Sequence, residues 1–274
     1  MSDLTLMAVH AHPDDEAIGT GGLLARCAAE GVRTVLITCT NGELGDLPGG
    51  VKPDHEEHDV AAVVAARREE LRRSCDILGV SHLEMLGYHD SGMMGWPQNE
   101  HPHAFWHTPV DEAAAKIAAL METYRPQVVV TYDENGFYGH PDHIQANRAT
   151  LAAAAMCGVP RKIYYTAVSR QSIGRLARLV RDTMPDRAGD WEFDPDDPPF
   201  GIDEAEITTV LDVSEFIRRK RDAMAAHASQ SENIEFLRMP DELFGQVFGA
   251  ESFVRVRDDT GAPLPETDLF AGLR

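Results

Sequence analysis

The stretch Val9–Gly22, VHAHPDDEAIGTGG, lies between an apolar run and a helix-like segment. The run that leads into it, LTLMAVHA at about 4–11, is apolar without alternation, as in a strand covered on both faces. Behind it, GTGGLLARCAAEG at about 19–31 reads as a helix closed by Gly31, and VRTVLITCT at about 32–40 as a second strand. Strand, helix and strand at this spacing form a βαβ unit and imply a parallel sheet. A dinucleotide-binding protein would place G-x-G-x-x-G in this first turn. Here the glycines come late, and Asp14, Asp15 and Glu16 occupy the place of the phosphate. Carboxylates repel a phosphate, whereas a divalent cation makes them favourable.

Further along, strand and helix patterns alternate. A helix is expected over about 59–79, stopped by Gly79, then a strand at 82–88, a helix closed by Pro126 and a buried strand at 127–133. ENGFYG reads as a turn, HPDHIQANRATLAAAAMCG as a helix with proline just inside its start, and KIYYTAVS as a strand with a helix near 170–182 after it. The acidic, proline-rich 185–206 segment reads as loop. A short strand ITTVLDV, a helix SEFIRRKRDAMAAHASQ and a tail whose apolar residues should pack follow it. The expected fold is α/β: a Rossmann-like doubly wound, mostly parallel sheet with helices on both faces and a smaller C-terminal extension. One domain spans 1–274, with its core at about 1–182 and a C-terminal elaboration at about 183–274.

The chain has 274 residues and a formal charge of −20, which disfavours nucleic acid and anionic membrane surfaces as partners. No apolar run approaches the roughly 18–20 residues of a membrane span. The N-terminus lacks a basic region and a cleavage site, and the four cysteines show no C-x-x-C spacing. Reduced thiols in a cytoplasmic protein are the expectation.

His-Pro-Asp occurs twice, at His12–Asp14 and His140–Asp142, each time after a buried strand and at the start of a helix. Ligands of an open parallel sheet bind beyond the carboxyl ends of its strands, so two such turns can share one site. His12 and Asp15 are three apart and face one side of a helical turn. Imidazole with carboxylate suits zinc, and also ferrous iron or manganese. Asp14 then points elsewhere, close enough to act as a base. His140 or His143 can complete a His-His-Asp set with a position open for water.

These motifs together resemble the LmbE-like, PIG-L family of metal-dependent N-acetylglucosaminide deacetylases. The resemblance runs through AHPDDE, TNGELGD, RREELRRSCDILGV, LGYHDSGM, TYDENGFYGHPDH and KRDAMAAHASQ, most of the chain in order. The tail LPETDLFAGL is similar to the actinobacterial thiol-pathway members, a deacetylase of mycothiol synthesis and a mycothiol-conjugate amidase. The resemblance implies zinc, or Fe2+ or another divalent metal, on His12, Asp15 and His143. It implies Asp14 as general base, His140 as oxyanion stabiliser or proton donor to the amine, Tyr138 as a mobile group that polarises the carbonyl, and Asp142 as the acid that orients an imidazole. Arg67 and Asp90 match positions that contact the sugar, and His227 on the late helix is expected to approach the site as a substrate-binding residue.

Each of these residues also has a plainer reading. Aspartates at helix starts are common caps. Arg67 in RREE fits a solvated, salt-bridged helix face. Asp90 in HDSG fits a turn former, Tyr138 simple packing, and His227 a buried structural histidine. HEEH at 55–58 lacks the zinc-protease spacing and reads as a solvated loop. EHPHAFWH at 100–107 lines a substrate mouth or is plain surface. The function expected is zinc-dependent removal of acetyl from an N-acetylglucosaminyl compound, a small amino-sugar. The alternative favoured by TYDENG is an amidase of mycothiol S-conjugates; EAIGTGG, AHASQ and FLRMP favour the deacetylase. A non-catalytic sugar- or metal-binding protein on the same fold has no use for a base at Asp14.

Overall fold

The computed structural model describes residues 4–47, 51–53, 55–183, 193–230 and 236–274. Its strands are β1 (Thr5–His10), β2 (Arg33–Thr40), β3 (His82–Tyr88), β4 (Val128–Thr131), β5 (Lys162–Ala167), β6 (Thr209–Asp212) and β7 (Ala250–Asp258). They form one mixed sheet in the order β3-β2-β1-β4-β5-β7-β6. The first five are mutually parallel. β7 runs antiparallel to both β5 and β6.

All six residues of β1 are buried, because both faces of the sheet are covered. Leu6 and Ala8 enter one core and Met7 and Val9 the other. Helices α1 (Asp15–Ala29), α2 (Val60–Leu78) and α7 (Ile217–Ala226) pack over the first core. Helices α3 (Val110–Tyr124) and α5 (Pro141–Cys157) pack over the second. Each fully buried aliphatic side chain in these cores is worth about 1.5–3 kcal/mol. A single turn, α4 (Gly136–Gly139), precedes α5, and α6 (Arg170–Thr183) and α8 (Asp241–Phe248) complete the helices of eight residues or more among the described residues.

The helix ends follow local chemistry. Asp59 caps α2 by accepting from Ala61 N and Ala62 N, and Gly79 ends it in the left-handed region at φ 78°. α1 differs from expectation: it begins at Asp15 rather than near 19, so the acids form its first turn. The glycines expected at its start lie inside it. A Cβ on Gly22 would stand 2.5 Å from the Val213 side chain, so that glycine allows the C-terminal part of the chain to pack against α1.

The C-terminal half holds the other differences. β7 was not foreseen as a strand; it inserts between β5 and β6, and its partner in β5 lies some 90 residues earlier, which local periodicity does not encode. The late helix is α7 alone, Ile217–Ala226, entered through a 3-10 turn at Ser214–Phe216 and left at His227. In the acidic 185–206 segment, residues 193–206 are loop apart from a 3-10 turn at Glu204–Glu206 capped by Asp203; the expectation for 185–192 lies outside the described residues. No helix among the described residues is long and apolar enough to cross a membrane.

Candidate metal centre

β1 and β4 are parallel neighbours, so the turns that follow them leave the sheet side by side at its carboxyl end. The turns after β2 and β3 open at the same end and bring Gly42, Glu43 and Asp90. The two His-Pro-Asp segments therefore meet. His12 and His140 have ring centroids 4.5 Å apart, and His12 and His143 are 5.3 Å apart. The possible ligand atoms of His12, His140 and His143 all lie within 4.8 Å of one another.

Asp15 bridges this group. Its Oδ2 is 3.4 Å from His12 Nδ1 and its Oδ1 is 3.6 Å from His143 Nε2. The His12 backbone N–H donates to Asp15 Oδ2 at 2.7 Å. His12 Nε2 is committed on its other side, 3.2 Å from Asp142 Oδ2 and 3.7 Å from Asp90 Oδ1. The imidazole thus keeps Nδ1 toward Asp15. His143 Nε2 is buried without a hydrogen-bond partner among the described residues. Two imidazole nitrogens and a carboxylate, one nitrogen buried and unpaired, make a donor set that fits a divalent cation.

Burial disfavours the charged form of every group here. Asp90, Asp142 and Asp15 nonetheless hold the His12 proton well above its ordinary pKa. His143 and His12 hold Asp15 well below the usual carboxylate range against its own burial. Burial pushes His143 down to about 4 and His140, beside two other imidazoles, down to about 2. His140 accepts the Asp142 N–H at Nδ1, so its neutral ring carries the hydrogen on Nε2.

Asp14 sits apart from the ligand group. It occupies the N-cap position of α1 but its side chain makes no capping bond, and its backbone lies at φ 126°, ψ −28°. A non-glycine residue there is strained. Its Oδ2 is 3.2 Å from Arg67 Nη2. Burial pushes its carboxyl up to about 6, with Arg67 opposing and Asp15 adding to the rise.

The plainer reading fails for Arg67, which is 4% exposed and donates to Pro13 O at 2.5 Å and to Gly42 O at 3.0 Å. Gly42, at φ 69°, has no Cβ to collide with that guanidinium. The solvated face of α2 is carried instead by Glu69 with Arg72 and Arg73. Asp90 combines two roles: it accepts from Gly92 N at 2.8 Å, as a turn former does, and it lies against His12. Asp142 is fully buried and accepts from His12, from Ser91 N at 2.9 Å and from Ser91 Oγ. Tyr138 is 46% exposed, at the edge of the histidines, with its ring centroid 5.1 Å from that of His143.

His227 corrects the expectation of a substrate contact. Its side chain has no exposed surface, and Nε2 bonds Glu16 Oε1 at 2.7 Å, behind Asp14. HEEH lies outside the site: His55 is exposed, and His58 Nε2 meets Gly45 O. His103 and His107 of EHPHAFWH line a cleft of about 480 Å³ together with His89, Asn41 and Glu43. Glu43 accepts the Asp90 N–H at 2.9 Å, which ties this cleft to the site.

Several supporting residues were not singled out from the sequence. Tyr132 donates its hydroxyl to Asp15 Oδ2 at 2.6 Å, accepts the Ala11 N–H, and stacks its ring on His143 at 4.1 Å. It therefore orients two of the three candidate ligands. Glu70 accepts from Ser229 N and Oγ, and Gln230 bonds both backbone atoms of Asp46, so AHASQ clamps α2 to the turn after β2. In the sequence Tyr132 reads as part of the buried strand at 127–133; the strand in fact ends at Thr131 and leaves Tyr132 at the site.

A family model described as GlcNAc-PI de-N-acetylase, PIG-L, matches residues 7–154. A 1D-myo-inositol 2-acetamido-2-deoxy-alpha-D-glucopyranoside deacetylase of Acidothermus cellulolyticus is 40% identical, over 98% of this chain and 95% of that protein. Among solved structures, an N,N'-diacetylchitobiose deacetylase from Pyrococcus horikoshii aligns with a TM-score of 0.59 and 19% identity, over 92% of this chain and 84% of the other. The 4-carboxy-2-hydroxymuconate hydratase of Pseudomonas putida aligns with a TM-score of 0.61 and 18% identity, over 95% and 99%. At that identity these structures speak to the fold alone, and the hydratase carries a different reaction on it.

Proposed function

The chain belongs to the PIG-L family of de-N-acetylases, and we propose that it is a metal-dependent N-deacetylase that releases acetate from 1D-myo-inositol 2-acetamido-2-deoxy-α-D-glucopyranoside. The observation that carries this reading is the pairing of a His-Asp-His donor group with Asp14, an aspartate that caps nothing and faces Arg67 instead. A binding protein gains nothing from the strain at Asp14. The order β3-β2-β1-β4-β5 with helices over both faces supports a doubly wound core. Four free cysteines suit a reducing, cytoplasmic setting.

His12 through Nδ1, Asp15, and His143 through Nε2 would hold the cation, zinc or another divalent metal such as ferrous iron. When bound, it would polarise the acetamide carbonyl and acidify water. Asp14 keeps 18% of its side chain exposed, enough to face a substrate. Its raised pKa makes it a better proton acceptor than an ordinary aspartate at neutral pH. Asp14 takes the proton of the attacking water and, as the acid, returns one to the departing amine. His140 Nε2–H donates to the oxyanion, and Tyr138 at the edge adds a second donor. Arg67 and Asp90 border the space for the sugar.

Acetate release from the inositol glucosaminide, measured against cleavage of a mycothiol S-conjugate by the same preparation, tests the reading. Metal-dependent acetate release is expected to dominate. Faster cleavage of the conjugate would assign the amidase, and binding without turnover of either would assign a binding protein.

A further inference from the structure

Glu16 is fully buried at the second position of α1, directly behind the proposed base. Its Oε2 accepts the Asp14 backbone N–H at 3.0 Å. A capping box makes such a reach-back bond from the third helical position, while the N-cap side chain bonds the helix. Here the reach-back comes from the second position, and the N-cap side chain makes no bond to the helix and pairs with Arg67 instead. The other oxygen of Glu16 accepts from Ser74 Oγ at 2.5 Å and faces His227 Nε2 at 2.7 Å. Ser74 lies on α2 and His227 follows α7, so three elements lock one carboxylate.

We propose that Glu16 is a positioning residue for catalysis: locked by Ser74 and His227, it holds the Asp14 backbone in its strained positive-φ conformation and so keeps the Asp14 carboxyl off the helix end. Without that bond, relaxation of Asp14 to an ordinary extended N-cap would let its carboxylate cap α1 and leave Arg67. A glutamine at position 16 has a single acceptor oxygen for three donors. This inference rests on the deacetylase reading, with Asp14 as its base.

The test is a cycle of wild type, Glu16→Gln, Asp14→Asn and the double variant. Turnover, KM, metal content and deuterium exchange of the 12–17 segment in metal-free protein are followed in each. Glu16→Gln is expected to lower kcat by about 10–100-fold, the scale of a 1 Å misplacement. KM and metal content stay near wild type, and the 12–17 segment exchanges faster. Added to Asp14→Asn it costs little more, because it acts through Asp14. An unchanged kcat, or a loss that adds in full to that of Asp14→Asn, overturns the inference and leaves the deacetylase assignment standing. Absence of turnover in wild type instead defeats the reading beneath it. If Glu16→Gln does not fold, Ser74→Ala, which removes one donor only, carries the same cycle and the same criteria.

Discussion

Asp142 Oδ2 lies 3.2 Å from His12 Nε2, across 130 residues of chain. The bond joins the two His-Pro-Asp turns and fixes which nitrogen of His12 faces Asp15. Carboxylate–imidazole pairs of this kind orient a metal ligand and raise its basicity. Asp142→Asn is therefore expected to weaken metal affinity about 10–100-fold, read by chelator competition. Affinity equal to wild type would separate Asp142 from the candidate metal site.

The Asp14 carboxylate pairs with Arg67, and among the described residues it makes no ion pair with a candidate ligand. Asp14→Ala should retain a full equivalent of metal and lose turnover by at least about 100-fold, the lower range for a general base. Metal analysis and acetate release on one sample check both halves. Full activity would remove Asp14 from the mechanism.

The parallel half of the sheet was legible because its strands are short apolar runs between recognisable helices. Asp59 and Gly79 mark the ends of α2 in sequence as they do in space. The pairing of the two histidine turns was legible from their repetition. Glu16, Tyr132 and the buried state of Arg67 were not, because each depends on what a distant element supplies: Ser74 and His227, Asp15 and His143, or Pro13 and Gly42. β7 was hidden for the same reason, since a strand is defined by its neighbours.

The tail is anchored by charge as well as by apolar residues. Lys162 Nζ donates to Glu266 Oε1 at 2.5 Å, and both side chains are at most 1% exposed. Tyr164 OH and Arg255 also donate to Glu266. Removing Glu266 leaves the buried Lys162 ammonium uncompensated, whereas Arg255 keeps Asp258 at 3.4 Å. Glu266→Ala should cost about 3–5 kcal/mol in urea unfolding. A cost under about 1 kcal/mol would mean that solvent reaches Lys162 in the folded protein.

Burial pushes the thiols of Cys27, Cys39 and Cys75 far above their ordinary pKa. Thiolate is the reactive form. Native protein should incorporate iodoacetamide at Cys157 only, the half-buried one, and at all four after denaturation. Mass mapping of labelled peptides decides it, and rapid native labelling of Cys39 would contradict the closed core beneath the candidate metal site.

The His227–Glu16 contact makes stability depend on pH in a direction that can be stated. Burial lowers the His227 pKa, but the Glu16 charge and hydrogen bond outweigh it and hold the value above 6.5. Stability from a raised pKa is fully present below 6.5 and is lost as pH rises through the folded value. Burial raises Glu16, but His227, Ser74 and the Asp14 N–H hold it below 4.5. Its contribution is present above 4.5 and is lost as pH falls through the depressed value. Both are therefore in force between about pH 4.5 and 6.5. In that window His227→Gln should destabilise the metal-free protein by about 1.5–3 kcal/mol, the worth of a charged hydrogen bond. The gap to wild type should narrow as pH rises further, because the wild type gives up its proton and the variant has none to lose. Urea unfolding of both proteins across pH 5–9 measures the gap. One that widens toward alkaline pH would show that His227 is neutral in the fold and that Glu16 takes its compensation from another group.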